Sequence, residues 1–454
     1  MTRVALVVPT WTLRDVLVRI AEAGTVQLDV AMDGEATEAA DAAEALHRLQ
    51  ARGIAVREPA LVMGTPRIAD LEARQDANLL AGEVDLSRRA SAGLRRGDAT
   101  ALVGWTAQVS IPALQAEIAP LGAAVVELPL KPWMEPPTRL TGAARSSFTP
   151  LVDIYGTVRY RDIDPTLFTA VSFVLMFGMM FADLGEGLLL ALLGLYARVT
   201  RRPRWAAVRR VWAIPFWGGM VAALFGLAYG EAFGPTGLVP ALWLKPMQNP
   251  ITLVEAGIVV GAILLSISYL IGIVNRYREG GLGASLFASS GVAGFVVFLG
   301  VAIIASGWLL ATSPILLPGL ALGAFGIVLL FIGLLVDAGF SATGVLEALI
   351  ELLNQVVRMA ANAISFARLA AFGLVHAALG SLVWQATVGL WSGSARLIAP
   401  LVFLGGTAVA FALELLVAGV QALRLEYYEL YSRIFAGEGQ PFRPWHLPVV
   451  KENP

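Results

Sequence analysis

From residue 166 onward the chain is built from long apolar blocks, more than any soluble core would bury. They run over residues 166–199, 211–233, 251–274, 284–310, 315–336, 343–391 and 397–435. One bilayer crossing takes about 20 such residues at roughly 1.5 Å rise each. Composition agrees: 57% of the 454 residues are hydrophobic and 15% charged, with a mean hydropathy of +0.70. Soluble domains average about 25% charged residues, so an ordinary soluble enzyme is excluded. Lys+Arg 33 against Asp+Glu 34 leaves a net charge of -1, so no bulk field draws a nucleic acid. The absence of cysteine removes disulfides, thiolate metal sites and cysteine nucleophiles. His47, His376 and His446 are too scattered for a His-rich metal centre, and neither metal nor cofactor is expected.

The first block is about 50 Å long as one helix, too long for a comfortable crossing. It carries Asp183, Gly185, Glu186 and Gly187 at its midpoint, where two carboxylates are expensive unless the helix breaks. Splitting it there gives two short spans and eight helices in all. Charge supports the split: residues 198–210 hold six arginines, and the NRYRE stretch at 275–279 holds two more. Both read as cytoplasmic loops, which places both termini inside.

Residues 1–150, a third of the chain, hold half of the Asp, Glu and Arg and read as a small α/β cytoplasmic domain. No secretory signal is visible at its start, so it is expected to stay in the cytoplasm. Strands are expected at 3–8, 25–30, 101–110 and 123–128, with helices at 12–23 and 111–121. Ala- and charge-rich helical stretches fall at 35–52 and 68–94. Two βαβ-like lobes joined by a helical hairpin fit this pattern, as does a single α+β domain. Residues 131–150, rich in Pro and small side chains, read as the linker into a transmembrane domain at 151–440. Residues 441–454 read as a cytoplasmic tail. The expected fold is mainly α: eight transmembrane helices, the last two long and tilted, behind a small α/β domain.

Each of the last two blocks contains an arginine, Arg368 and Arg424. Arg at membrane depth costs from ~2.5 to more than 10 kcal/mol and cannot escape by deprotonating. It persists facing water or a carboxylate, or by snorkelling to the interface. Asn362, Ser365, Arg368, Phe372 and His376 recur every three or four residues, which puts them on one helical face among small residues. Glu414, Gln421, Arg424 and Tyr428 share a face of the last helix. No nucleophile–base pair or phosphate loop is visible. The constellation is that of an ion path.

Four motifs sharpen this. The segments AISFARLAAFGLVHAAL, LELLVAGVQALRLEYYELYSRIFAGEGQPFRPW, YGTVRYRDIDPT and FGMMFADLGEGLLLALLGLY, with VGWTAQ near the N-terminus, resemble the membrane stator subunit of V/A-type rotary ATPases. That subunit is called subunit a or I, the 116 kDa-subunit family, and this chain resembles a short, bacterial-type version. The likeness covers almost the whole chain, with its motifs in the family's order. The family's Tyr before the arginine is Phe366 here, its usual His after the second Arg-Leu is Glu426, and the helical arm of the N-terminal domain is abbreviated.

The resemblance implies a non-catalytic subunit of a proton-transporting (or sodium-transporting) rotary ATPase in the cell membrane, coupling ion translocation to rotation. Its partners would be the proteolipid c-ring, peripheral-stalk subunits, and the central-stalk and ATPase subunits, with membrane lipid around it and no nucleic acid. Arg368 would face the proteolipid carboxylates. Ser365, His376, Glu414, Gln421 and Arg424 would line the proton path, His376 as relay or as a helix–helix contact. Asp183, Glu186, Glu231, Glu426 and Glu429 are further half-channel candidates. Asp183 and Glu186 serve equally well to satisfy a broken helix, and Glu347 and Glu351 to form either a funnel or a solvated face. The alternative is a stand-alone secondary transporter or channel, which would show internal repeats; none is visible.

Overall fold

A computed structural model describes residues 1–29, 40–131, 134–138, 147–309, 313–393, 396–435 and 437–450. The chain divides into two units, Met1–Leu140 with Gly439–Pro454, and Thr141–Glu438.

The first unit contains β1 (Thr2–Pro9), α1 (Leu13–Ala23), β2 (Val26–Leu28), α2 (Ala40–Ala51), β3 (Leu61–Val62), α3 (Ile68–Ala73), α4 (Ala77–Ser91), β4 (Leu94–Arg96), β5 (Ala99–Thr106), α5 (Ile111–Ile118), β6 (Ala124–Glu127) and β7 (Val449–Val450). Alternation in β1 buries Val4, Leu6 and Val8 against α1, whose apolar stripe of Leu13, Val16, Leu17 and Ile20 completes the core. Helix α1 stops at Gly24, which takes the left-handed conformation (φ 58°) that a side chain would resist. The main sheet has the order β2-β5-β1-β6 with β4 also on β5, and every pairing in it is antiparallel. The two βαβ halves are therefore split and interleaved, in the ferredoxin-like manner. They share one sheet and one core instead of forming two lobes, because β5 inserts between β1 and β2.

The helices between the halves pack on one another through Ala45, Leu49, Leu71 and Leu80. Residues 35–39 of the stretch expected at 35–52 lie outside the described residues. The stretch expected at 68–94 breaks at Gln75 (φ 58°), and Asp76 caps α4 by accepting from Leu79 N at 3.3 Å. Half of the 131–150 linker also lies outside the described residues.

The C-terminal segment departs from the expected tail. Trp445 is 5% exposed within the first unit's core, its Nε1 donates to Asp85 Oδ2 at 2.7 Å, and its backbone N–H donates to Val26 O at 2.8 Å. Strand β7 then pairs in parallel with β3. A short chain end carrying a Trp with a partner for its N–H gains more by burial than by remaining solvated. Trp445→Ala should destabilise this unit by about 3 kcal/mol or more, read as a lower unfolding temperature and faster proteolysis near residue 61. Unchanged protease resistance would show that the segment adds nothing to the core.

The second unit is helical: α6 (Thr149–Tyr155), α7 (Thr166–Met180), α8 (Leu184–Val199), α9 (Ala206–Arg210), α10 (Ala213–Tyr229), α11 (Pro250–Phe287), α12 (Val292–Leu309), α13 (Leu316–Ala338), α14 (Ala342–Ser365), α15 (Ala367–Ser392), α16 (Ala399–Leu425) and α17 (Tyr431–Ile434). By length and composition, four helices among the described residues can cross a membrane: Pro250–Phe287, Leu316–Ala338, Ala342–Ser392 and Ala399–Ile434. Taking the pair Pro203–Arg210 and Ala213–Tyr229, bent by 64°, as one broken span makes five. Thr166–Met180 and Val292–Gly307 are apolar but shorter, so the eight crossings expected from the blocks go beyond this count.

The first block does break where its carboxylates sit, at residues 181–183. Glycines let α8 and α10 touch backbone to backbone: a Cβ on Gly187 would lie 2.6 Å from Ala223 N, and one on Gly226 would collide with Leu184 N. The NRYRE stretch is helical instead of a loop. Helix α11 runs through it and turns only at Gly281 (φ 71°). Its charges are satisfied there: Arg276 Nη1 donates to Glu279 Oε2 at 2.6 Å, and Arg159 Nη1 to Glu279 Oε1 at 3.1 Å. The block at 343–391 is interrupted at Phe366, which is fully buried and packs where Gly257 and Gly261 of α11 leave room.

Candidate functional site

Polar groups from α7, α8, α15, α16 and the loop after α10 meet at two levels along α15. The upper level is the most enclosed. Asp183 ends the break between α7 and α8 with no exposed surface. Its Oδ1 accepts from the backbone N–H groups of Glu186 and Phe233, and its Oδ2 from Gly234, each at 2.9 Å. It thus caps α8 and pins the loop after α10, which also carries Glu231. His376 projects from α15 into the same space. Its Nδ1 hydrogen-bonds Glu414 Oε2 of α16, and its Nε2 faces Glu231 Oε2 at 3.6 Å. Glu186, His376 and Glu414 line a small pocket there with Phe233, Gly380 and Thr407. Phe181 covers His376 from one side, ring centroids 5.8 Å apart.

This arrangement answers a question the sequence left open, since Asp183 does satisfy the broken helix. Three charge-assisted hydrogen bonds converge on it, so Asp183→Ala should destabilise the second unit by about 3 kcal/mol. Thermal unfolding in detergent measures this. A shift no larger than that of Asp183→Asn would mean that the cap, not the charge, matters.

The lower level lies near the Phe366 break. Arg368 is half-buried, and its Nη1 is enclosed with no hydrogen-bond partner among the described residues. Glu429 lies in electrostatic reach of Arg368 and Arg424 and beside the Ser365 hydroxyl. Helix α16 widens into a π-helical turn over Glu426–Leu430, which turns both Glu426 and Glu429 inward. Ser172 Oγ donates to Glu426 Oε2 at 2.7 Å, and Tyr431 bonds the Thr169 hydroxyl beside it. Gln421 Oε1 is buried without a partner among the described residues.

Two expected residues stay apart. Glu347 is exposed on α14, and Glu351 pairs with Arg358 (2.7 Å) and Gln355 (3.1 Å) on the same helix, as a solvated face would. Sequence reasoning missed Asn275, Arg276 and Arg433, which tie α11 to α17. Asn275 Nδ2 donates to Ile434 O at 3.2 Å, and Arg433 lies over the Tyr269 ring at 5.3 Å. Two arginines within one turn of an otherwise apolar helix were the available signal.

Residues 105–228 match the V-type ATPase 116kDa subunit family. Over that stretch, about a quarter of the chain, it is similar to that family. It is 30% identical over 375 residues to the A-type ATP synthase subunit I of Halobacterium salinarum, covering 66% of this chain and 50% of that protein. The subunit I of Archaeoglobus fulgidus is 28% identical over 405 residues, with 76% and 58% covered, and that of Aeropyrum pernix is 28% identical over 353 residues, with 67% and 50% covered. The chain spans about half the length of the curated relatives it matches. Its several long apolar helices make it a multi-pass membrane protein.

Proposed function

We propose that this chain is the non-catalytic stator subunit of a rotary ATPase, carrying two offset proton half-channels against a proteolipid ring. The observation that carries the reading is the pair of polar levels on α15 and α16. His376 and Arg368 are eight residues apart, about 12 Å along a helix. One level is a chain of protonatable groups, Glu186, Glu231, His376 and Glu414, and the other is built on a cation that cannot titrate.

Each proteolipid brings a buried carboxylate that is neutral against lipid. Beside Arg368 an opposite charge in low dielectric favours its ionised form and releases the proton. Arg368 relays no proton itself, having no acceptor and no accessible neutral form, so it separates the half-channels and the ion must travel around with the ring. The upper level opens one path through His376 and Glu414. Glu426, Glu429, Gln421 and Ser365 belong to the other, with Arg424 as a second, more exposed cation. Helix α16 offers the ring an apolar face: Leu413, Leu416 and Val420 are each more than half exposed.

Eight crossings, counting α7 and α8 as two short ones, place the arginine-rich 198–210 segment and both termini in the cytoplasm. The first unit then meets the peripheral stalks through its sheet, since its helices are short. An affinity-tagged chain purified from its native membrane tests the assignment. It is expected to bring down a proteolipid ring and soluble ATPase subunits. A monomer or homo-oligomer that transports ions alone would support the stand-alone transporter instead.

A further inference from the structure

The upper level has a property that proton transfer does not use. His376 is held by Glu414 through Nδ1, while Nε2 is enclosed, has no hydrogen-bond partner among the described residues and faces Glu231. One ligand atom each from Asp183, Glu231 and His376 lie within 4.8 Å of one another, and the same holds for Glu186, His376 and Glu414. All but Glu414 are at most 5% exposed. Glu186 Oε2, Glu231 Oε2 and Glu414 Oε1 are buried oxygens with no partner among the described residues, all in this cluster. Asp183 Oδ2 accepts a single hydrogen bond and keeps a lone pair.

A zinc-class ion takes imidazole nitrogen and carboxylate oxygen at about 2.0–2.2 Å, with ligand atoms up to roughly 4 Å apart. A ligating histidine typically has its other nitrogen held by a carboxylate, which is the relation of Glu414 to His376. Calcium wants about six to eight oxygens, and magnesium keeps its waters. One imidazole among carboxylates in a small pocket selects instead for the borderline ions, zinc and its neighbours. The count of scattered histidines pointed away from a His-rich centre. This site needs only one, because three separate segments supply the carboxylates.

We propose that this buried cluster binds a divalent transition ion of the zinc class through His376 Nε2, Glu231 and Asp183, and that the bound ion plugs the half-channel. Binding is a property of these side chains, whereas the plugging rests on the proton-path reading above. Because the ligands must be deprotonated, binding weakens as pH falls.

The full-length chain in detergent, probed with Co²⁺ and competed with Zn²⁺, tests the binding. With no cysteine in the chain, no thiolate band obscures the visible Co²⁺ spectrum. Saturable binding of one Co²⁺ at this site, displaced by Zn²⁺, is expected. His376→Gln should weaken it by about 100-fold and Glu231→Gln by about tenfold, with His47→Gln and His446→Gln unchanged. Wild-type affinity in His376→Gln, or no binding to the wild type, overturns the site. In reconstituted complexes, Zn²⁺ should stop ATP-driven acidification over the concentration range that displaces Co²⁺. Zn²⁺ held through His376 without inhibition would retain the site but reject the plug and count against the half-channel. Acidification that depends on His376 with no metal bound would reject the site and leave the half-channel standing.

Discussion

Arg368→Ala is expected to abolish ATP-driven proton transport in reconstituted vesicles while the subunits still copurify. In the proposed role, the substitution removes the cation that drives deprotonation of each arriving carboxylate and the barrier between the half-channels. A fall of about 100-fold or more is expected, the scale for deleting a preorganised charge from a dry site. Assembly survives because Arg368 Nη1 makes no hydrogen bond among the described residues, so the fold loses little with it. Arg368→Lys should also fail, since a desolvated ammonium can shed its proton and lacks the guanidinium fork. Arg424 is exposed, and Arg424→Ala should impair coupling less. Equal losses from the two alanine variants would refute the ranking by depth, and full pumping by assembled Arg368→Ala complexes would refute the role itself.

The second large effect concerns the bonded pair on α15 and α16. Glu414→Gln keeps the shape and volume of the side chain but removes its titration. His376→Gln keeps a hydrogen-bonding group and removes the relay. Each should slow proton transport by about 100-fold, the scale of a positioned acid–base group, without dissociating the complex. Because the two side chains are directly bonded, the double variant should be no slower than the worse single one. Acidification rates of the three variants at equal assembly decide it. Multiplicative losses would mean that His376 and Glu414 serve separate paths.

How far the sequence could be read depended on whether a signal is local. The break at Asp183 was legible because a carboxylate inside an apolar block has few alternatives. The polar face from Asn362 to His376 was legible because helical period assigns faces. Partners across the fold were not. Nothing in a 3.6-residue period says that His376 meets Glu414, 38 residues on, or that Glu231 reaches the same space from a loop. The break at Phe366 depends on the room left by Gly257 and Gly261 of another helix, which no local pattern contains. The NRYRE stretch misled for a related reason. Charge density suggested a loop, yet Arg276 and Glu279 are one turn apart and neutralise each other within the helix. The strand segments of the first unit were recognisable one by one, but the insertion of β5 between β1 and β2 is a long-range pairing. The return of Trp445 to that core is long-range as well.

The central claim is that α16 and Arg368 face a ring of proteolipids. Cysteine cross-linking addresses it against a clean background, because the chain has no cysteine of its own. Leu416 and Val420 are 65% and 53% exposed on α16, and Val328 is 54% exposed on α13, a helix that packs on α11, α12 and α14. With a second cysteine beside the proteolipid carboxylate, Leu416→Cys and Val420→Cys should form disulfides in the assembled membrane complex, and Val328→Cys should not. Cross-links through Val328 with none through Leu416 or Val420 would place the ring on another face and contradict the account.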